Sequence, residues 1–217
     1  MRLVLVGPPG SGKGTQAELL CNRLGLTYVG TGEILREAIR TKTPVGREVE
    51  PIIKRGLLVP DIVVNDLIAE LFRRPNRPEK FVLDGYPRTY SQSIAFDALL
   101  RQEYLTLDAV VNLSIQDEEV VRRISGRRCC SNPKCGICYN VSVRPPKTVN
   151  ACDKCGNPLL LRDDDKEETV RRRLEEFHKN TDALIDHYTR ARLVRNVSAT
   201  DPVETIFANV AKAIGKQ

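Results

Sequence analysis

The stretch "RLVLVGPPGSGKGTQAELL" constrains this chain more than any other. A short apolar, β-rich run at residues 2–6 passes into a loop with glycines at positions 7, 10 and 12 and a lysine at 13, then into a segment of helical periodicity. Gly7, Gly10 and Gly12 allow the backbone N–H groups to turn inward around phosphate oxygens, an approach that bulkier residues would obstruct. Lys13 can reach the β- and γ-phosphates, and the N-terminus of the helix that follows adds positive potential. An ordinary glycine turn is the alternative, but strand, loop, lysine and helix agree on a phosphate-binding loop. Such a loop needs a buried strand on one side and a packed helix on the other.

The rest of the chain supplies more of both. Residues 81–84, 109–114 and 192–198 read as buried strands, with 27–29 as a fifth. Between them "GTQAELLCNRL", "TGEILREAI", "PDIVVNDLIAELF", "SQSIAFDALLRQ" and "DEEVVRRISG" carry apolar residues at helical spacing. Residues 163–188 read as one long helix, acidic early and basic later, which suits its dipole. The alternation predicts an α/β fold with a mostly parallel sheet. One segment breaks it: from Gly126 to about Arg162 there is little helical periodicity, but four prolines and six of the seven cysteines. It reads as an inserted small domain.

Composition narrows the class. A chain of 217 residues with 41% apolar and 29% charged residues can bury a sizeable core. No apolar run approaches the ~18 residues of a membrane span, and the N-terminal apolar stretch is too short for a signal peptide. These readings predict a cytoplasmic protein with no membrane partner, where clustered cysteines more often bind metal than pair. The net charge of +6 would admit a nucleic-acid partner. With aromatics at 5% and arginines scattered along the chain, small phosphates suit this charge at least as well.

Further residues extend the phosphate site. Asp84 ends a strand at the edge where α/β ligands bind, and a carboxylate there can hold metal-bound water. Arg88 follows in "DGYPR", where its fork can bridge two phosphates. "TGEILR" places Thr31 at a helix start and Arg36 one turn later, a pair that could face a nucleobase and its phosphate.

Taken together, "GPPGSGKGT", "TGEILR", "GLLVP", "DGYPR" with Gln92, "RRISGRR", "RDDDKEETVRRRL" and "ATDPVE" resemble the adenylate kinase family nearly end to end. Gly14, standing where Ser or Thr normally supplies a magnesium ligand with Thr15 one step on, is similar to the nucleoside-monophosphate kinase form of the loop. The resemblance implies a three-layer P-loop core around a five-stranded parallel sheet (1–29, 60–125 and 164–217), a helical monophosphate-binding insertion (30–59) and a lid (126–163). It implies ATP contacts from Gly10, Ser11, Gly12, Lys13, Gly14, Thr15, Arg123, Arg127 and the backbone of Asp201, with Asp84 holding the waters of Mg²⁺. It assigns AMP contacts to Thr31, Arg36, Leu57, Leu58, Val59, Gly85, Tyr86, Pro87, Arg88, Gln92, Arg162 and Arg173. Lys13, Arg88, Arg127, Arg162 and Arg173 would surround the transferring group. Asp201 and Glu33 depart from the family pattern, where Lys and Asp are more usual. The implied reaction is reversible phosphoryl transfer from Mg-ATP to AMP, giving two ADP, by a monomer whose lid excludes water.

The cysteines read as a zinc site in that lid. Cys130 and Cys135 (C-x4-C), a sixteen-residue loop, then Cys152 and Cys155 (C-x2-C) suit tetrahedral thiolate binding of structural Zn²⁺. Cys129 rivals Cys130 as first ligand, and Cys138 is a spare thiol; a disulfide is the competing use. Two other functions stay open: a UMP/CMP-type kinase, against which stand Thr31, Gln92 and the long lid, and a zinc-ribbon nucleic-acid binder, favoured by a pI of about 9.0.

Overall fold

The computed structural model describes residues 1–141 and 144–216. Strand β1 (Arg2–Val6) leads through the glycine loop into α1 (Lys13–Leu24), and β2 (Thr27–Gly30) runs directly into α2 (Thr31–Arg40). Then come α3 (Pro44–Lys54), α4 (Asp61–Arg73), β3 (Phe81–Asp84), α5 (Tyr90–Gln102), β4 (Ala109–Ser114) and α6 (Asp117–Ser125). Three short strands, β5 (Arg127–Cys130), β6 (Cys138–Asn140) and β7 (Leu159–Leu160), precede α7 (Glu167–Arg190), β8 (Val194–Ser198) and α8 (Val203–Ala213).

Five strands form one parallel sheet in the order β2-β3-β1-β4-β8. Alternation along each strand sends side chains to opposite faces. Val4, Val6, Phe81, Leu83 and Val110 pack under α4, α5 and α7, against Ile68, Phe72, Phe96, Leu184 and Tyr188. Leu3, Leu5, Val82, Val111 and Leu113 face α1 and α8, meeting Leu20, Ile206, Phe207 and Val210. Each fully buried side chain of this size contributes about 1.5–3 kcal/mol, so the sheet anchors both helical layers. This is the three-layer α/β fold expected. Among the described residues no helix is long and apolar enough to cross a membrane.

Register puts the chemistry on one edge. Leu5 and Gly30 both lie opposite Asp84, and Val6 lies opposite Asn112. The loop after β1, the start of α2 and the turn after β3 therefore open side by side at the carboxyl ends of the strands.

Several expectations shift. The last strand starts at Val194 instead of residue 192, because Arg192 takes a left-handed conformation (φ 58°) and bonds back to Thr189 in closing α7. The long helix starts at Glu167: Asp163–Asp165 form a separate 3-10 turn, and Lys166 is extended. Helices α3 and α8 lie outside the segments whose periodicity reads as helical, although α3 falls within the helical insertion that the resemblance implies over 30–59. The cysteine-rich segment is a three-stranded antiparallel sheet, β6-β5-β7.

Candidate functional site

The glycine loop is shaped by backbone geometry before any ligand arrives. Gly10 and Gly12 have φ of 75° and 92°; a Cβ on Gly12 would meet nothing within 4 Å, so its requirement is conformational. Gly12 stands at the N-terminus of α1 with no side-chain cap, leaving the helix's first N–H groups for an anion. Ser11 is fully buried, and its hydroxyl has no partner among the described residues. A buried hydroxyl without a partner costs about 1–3 kcal/mol, and a phosphate oxygen would relieve that. Lys13 Nζ donates to the carbonyls of Gly7 and Pro8, each at 2.8 Å. Burial pushes its pKa down to about 8, opposed by Asp84 and reinforced by Arg88, Arg173 and Arg127.

Asp84 faces this loop. A Cβ on Gly14 would sit in ordinary van der Waals contact with Asp84 Oδ2, at 3.6 Å, which places the carboxylate beside the loop. The Tyr28 hydroxyl donates to the same oxygen at 3.3 Å. One carboxylate beside phosphate-binding N–H groups is the donor set Mg²⁺ uses, since that ion keeps most of its waters and takes the rest from phosphates.

Across the edge lies a cavity lined by Thr31, Leu35, Arg36, Leu57, Leu58, Val59, Val64, Gly85, Pro87, Arg88 and Gln92, which also reaches Lys13 and Arg173. Its apolar walls and few convergent polar groups suit a nucleobase next to a phosphate. Thr31 Oγ1 donates to the Gly85 carbonyl (2.8 Å), and Arg88 Nε donates to the same carbonyl (2.7 Å). Gly85 has φ 85°, and a Cβ there would come within 2.9 Å of both side chains, so only glycine fits. The Tyr86 side chain turns away into the core, its hydroxyl donating to Asn65 Oδ1 at 2.8 Å and its ring edge-on to Phe96. Only its backbone remains to meet a ligand.

The cations are held in place by carboxylates that the sequence reading passed over. Arg127 makes a two-pronged pair with Asp165, Nε donating to Oδ2 at 2.7 Å and Nη2 to Oδ1. Arg173 Nη1 donates to the Asp164 carbonyl (2.9 Å) and to its Oδ2 (3.1 Å). Burial pushes Arg162 and Arg173 down to about 10; Arg36 and Arg127 add to this at Arg162, while Asp164 opposes it at Arg173. Both stay charged at neutral pH and form a field that favours incoming anions. The acidic run "DDD" after Arg162 was the available signal, read instead as a helix start.

Arg123 and Asp201 are not among the residues lining that cavity. Arg123 Nη1 donates to the Ala199 carbonyl at 2.9 Å and Nε to Glu119 Oε1 at 2.8 Å. Asp201 is exposed in the turn after β8. Nearby, Gln16 Nε2 donates to the Val203 carbonyl at 3.0 Å, while its buried Oε1 has no partner among the described residues.

The sulfurs of Cys130, Cys135, Cys152 and Cys155 lie within 4.8 Å of one another. The contacts Cys130–Cys155 and Cys135–Cys152 are 3.4 and 3.6 Å. A tetrahedral zinc with bonds of about 2.3 Å would space its sulfurs about 3.8 Å apart, so the four fit such an ion. The Asn132 N–H points at Cys130 Sγ (3.4 Å) and the Asn157 amide at Cys155 Sγ (3.5 Å), contacts that favour thiolates. The remaining two cysteines of this segment correct the expectation of a spare thiol. Cys129 and Cys138 are directly opposite on β5 and β6 and form a disulfide. Their side chains leave the ladder on the same face, opposite to that of Cys130, which removes Cys129 from the cluster. Arg162 Nη2 lies 3.2 Å from Cys138 Sγ.

Comparison with known proteins agrees with this geometry. A family model described as adenylate kinase matches residues 5–193. The chain is 42% identical over 216 residues to an adenylate kinase of Methanothrix thermoacetophila, covering 100% of the chain and 99% of that relative. It is 43% identical over 217 residues to one of Streptomyces avermitilis (100% and 98% covered) and 41% identical over 216 residues to one of Archaeoglobus fulgidus (100% and 99%).

Proposed function

The chain belongs to the adenylate kinase family and transfers a phosphoryl group between ATP and AMP, and we propose that its residues divide this work between two nucleotide sites facing one another across a cluster of cations. The observation that carries the reading is the single cavity in which Lys13, Arg36, Arg88 and Arg173 meet Thr31 and Gln92.

Residues 10–15 hold the ATP phosphates, with Arg123, Arg127 and the backbone at Asp201 flanking the donor nucleotide. Thr31, Leu57, Leu58, Val59, the backbone of residues 85–87, and Gln92 receive AMP, while Arg36 and Arg88 hold its phosphate. Lys13, Arg88, Arg127, Arg162 and Arg173 neutralise charge on the phosphoryl group in flight, and positioning with charge stabilisation supplies most of such a rate enhancement. No general base is needed, because the attacking oxygen already belongs to a phosphate. Magnesium bound with ATP would spread the phosphate charge, its waters held by Asp84. Zinc on Cys130, Cys135, Cys152 and Cys155 would be structural only, since four protein thiolates leave no open position.

In this reading residues 1–29, 60–125 and 164–217 form the core, 30–59 the acceptor insertion and 126–163 the lid. Water competes with AMP as acceptor, so the lid closes before transfer. ATP, AMP and ADP are the partners, and the protein acts as a cytoplasmic monomer. A coupled assay of AMP, CMP, UMP and GMP with ATP tests the reading. AMP is expected to lead by about 10²-fold or more in kcat/KM. Comparable turnover of UMP or CMP would move the protein to the pyrimidine-specific branch.

A pH dependence follows from Lys13. Its pKa is lowered to about 8 in the ligand-free protein, so its charge is present below that pH and lost above it. Because kcat/KM reports free-enzyme ionisations, kcat/KM for ATP is expected to fall above about pH 8, approaching tenfold per unit. Bound phosphates favour the protonated amine, so kcat should hold to higher pH. A flat kcat/KM profile between pH 7 and 9.5 would contradict this.

A further inference from the structure

We propose that Asp61 is a positioning residue that locks the orientation of the Gln92 amide, so that the acceptor site selects a 6-amino purine over a 6-oxo purine. The proposal rests on the reading of Gln92 as a contact to the acceptor base.

Gln92 is 2% exposed and lines the acceptor cavity. The two ends of its amide meet partners of opposite kind. Oε1 accepts from the Arg88 N–H at 2.7 Å, and Nε2 donates to Asp61 Oδ1 at 2.8 Å. The other Asp61 oxygen accepts from the Thr89 hydroxyl at 2.8 Å, and Thr89 Oγ1 accepts from the Gln92 N–H at 3.1 Å as the cap of α5. Asp61, Thr89 and Gln92 thus close a ring that ties the start of α4 to the start of α5.

An amide alone has no preference between its two orientations in a cavity of this kind. A backbone N–H can only donate, however, and an ionised carboxylate can only accept. Turning the Gln92 amide over would place its NH₂ against the Arg88 N–H and its oxygen against the Asp61 carboxylate. Both contacts would become repulsive where little water is available to screen them. What remains for a ligand is one N–H and one oxygen lone pair, in a set order.

That order matches one class of purine. Adenine presents a 6-amino donor beside the N1 acceptor; hypoxanthine and guanine present a 6-oxo acceptor beside an N1–H donor. In the same pose, a locked amide pairs with the first pattern and opposes the second. An amide free to turn could serve either. Discrimination built on buried hydrogen bonds is steep, because the wrong base leaves them unmet. Arg36 and Arg88 meet the phosphate alone, so they cannot supply this selectivity.

The experiment compares kcat/KM for AMP and for inosine monophosphate, which share everything but the reversed edge, at saturating ATP. Wild type, Asp61→Ala, Asp61→Asn and Gln92→Ala are assayed at a temperature where circular dichroism shows each folded. Asp61→Ala is expected to lower the AMP-to-IMP ratio by about tenfold or more, mainly through KM, with KM for ATP unchanged. Asp61→Asn is expected to keep the ratio within about threefold, since its amide oxygen can still accept the Gln92 N–H. Equal loss for both nucleotides in Asp61→Ala would mark a structural role and overturn the proposal. So would an Asp61→Asn ratio as low as that expected of Asp61→Ala, a result that decides even if the alanine variant does not fold. Gln92→Ala separates the two layers of inference. If it leaves the ratio unchanged, the base-contact reading itself fails; if it collapses the ratio while Asp61→Ala does not, only the lock fails.

Discussion

Replacing Lys13 with methionine is expected to lower kcat by about 10²-fold or more while leaving the fold intact. Lys13 sits where the loop after β1 meets α1, close enough to Asp84, Arg88, Arg127 and Arg173 to feel all four charges. Its amine donates to two loop carbonyls, Gly7 and Pro8. Methionine loses those two bonds, worth about 0.5–1.5 kcal/mol each, yet it also removes a charge that burial disfavours. The two effects oppose one another, so the melting temperature should move by only a few degrees. Catalysis has no such compensation. The transferring group carries its charge across the gap between two nucleotides, and a neutral side chain cannot follow it. Steady-state kinetics beside circular dichroism would check the expectation. A folded K13M protein with near-native turnover would remove the glycine loop from the transfer site.

The parts of this molecule that were legible in its sequence share a physical property. The sheet strands are apolar runs bounded by turn residues, and β1, β3 and β4 appear where those runs stand. The glycine loop was legible because its function constrains backbone conformation, which leaves glycines at set intervals. Helix α3 was not, since "PVGREVEPIIK" contains Pro51 and Gly46, both of which weaken a helical reading. Gly46 is there for packing: a Cβ would lie 2.0 Å from the Ala38 carbonyl oxygen, so α2 and α3 can touch only without one. Strands β5, β6 and β7 have four, three and two residues, too few to establish an alternation. The polar network around the site was the least legible. Asp61 meets Gln92 across 31 positions and Asp165 meets Arg127 across 38. No local pattern encodes those pairings; the fold creates them.

Removing metal from the lid is expected to unfold it while the core still binds ATP analogues. Among the described residues, the cluster beneath β5, β6 and β7 buries Tyr139, Cys152 and Leu159, with Cys130, Cys135 and Ile137 packed against it. Burial on this scale contributes only a few kcal/mol in all, little beside the roughly 1–2 kcal/mol per residue needed to order the backbone. The Cys129–Cys138 disulfide ties β5 to β6. The turn carrying Cys152 and Cys155 is joined to that hairpin by the short β5–β7 ladder, by the Ser131 N–H to the Pro158 carbonyl and the Asp153 N–H to the Tyr139 hydroxyl, each at 2.9 Å, and by the four-sulfur cluster. Zinc binding by peptides of this kind supplies about 10–16 kcal/mol, more than the burial does. Arg127 opens β5 and Arg162 follows β7 by two residues, so the same small sheet sets both arginines in place. Elemental analysis should therefore find about one zinc per chain. Chelation, or Cys152→Ser, should produce a separate lid transition at lower temperature. Turnover should fall with it, as Arg127 and Arg162 lose their frame, while affinity of the glycine loop for a non-hydrolysable ATP analogue changes little. Retention of full thermal stability and turnover by protein shown to be free of metal, with Cys130, Cys135, Cys152 and Cys155 reduced, would rule out zinc as the lid's support.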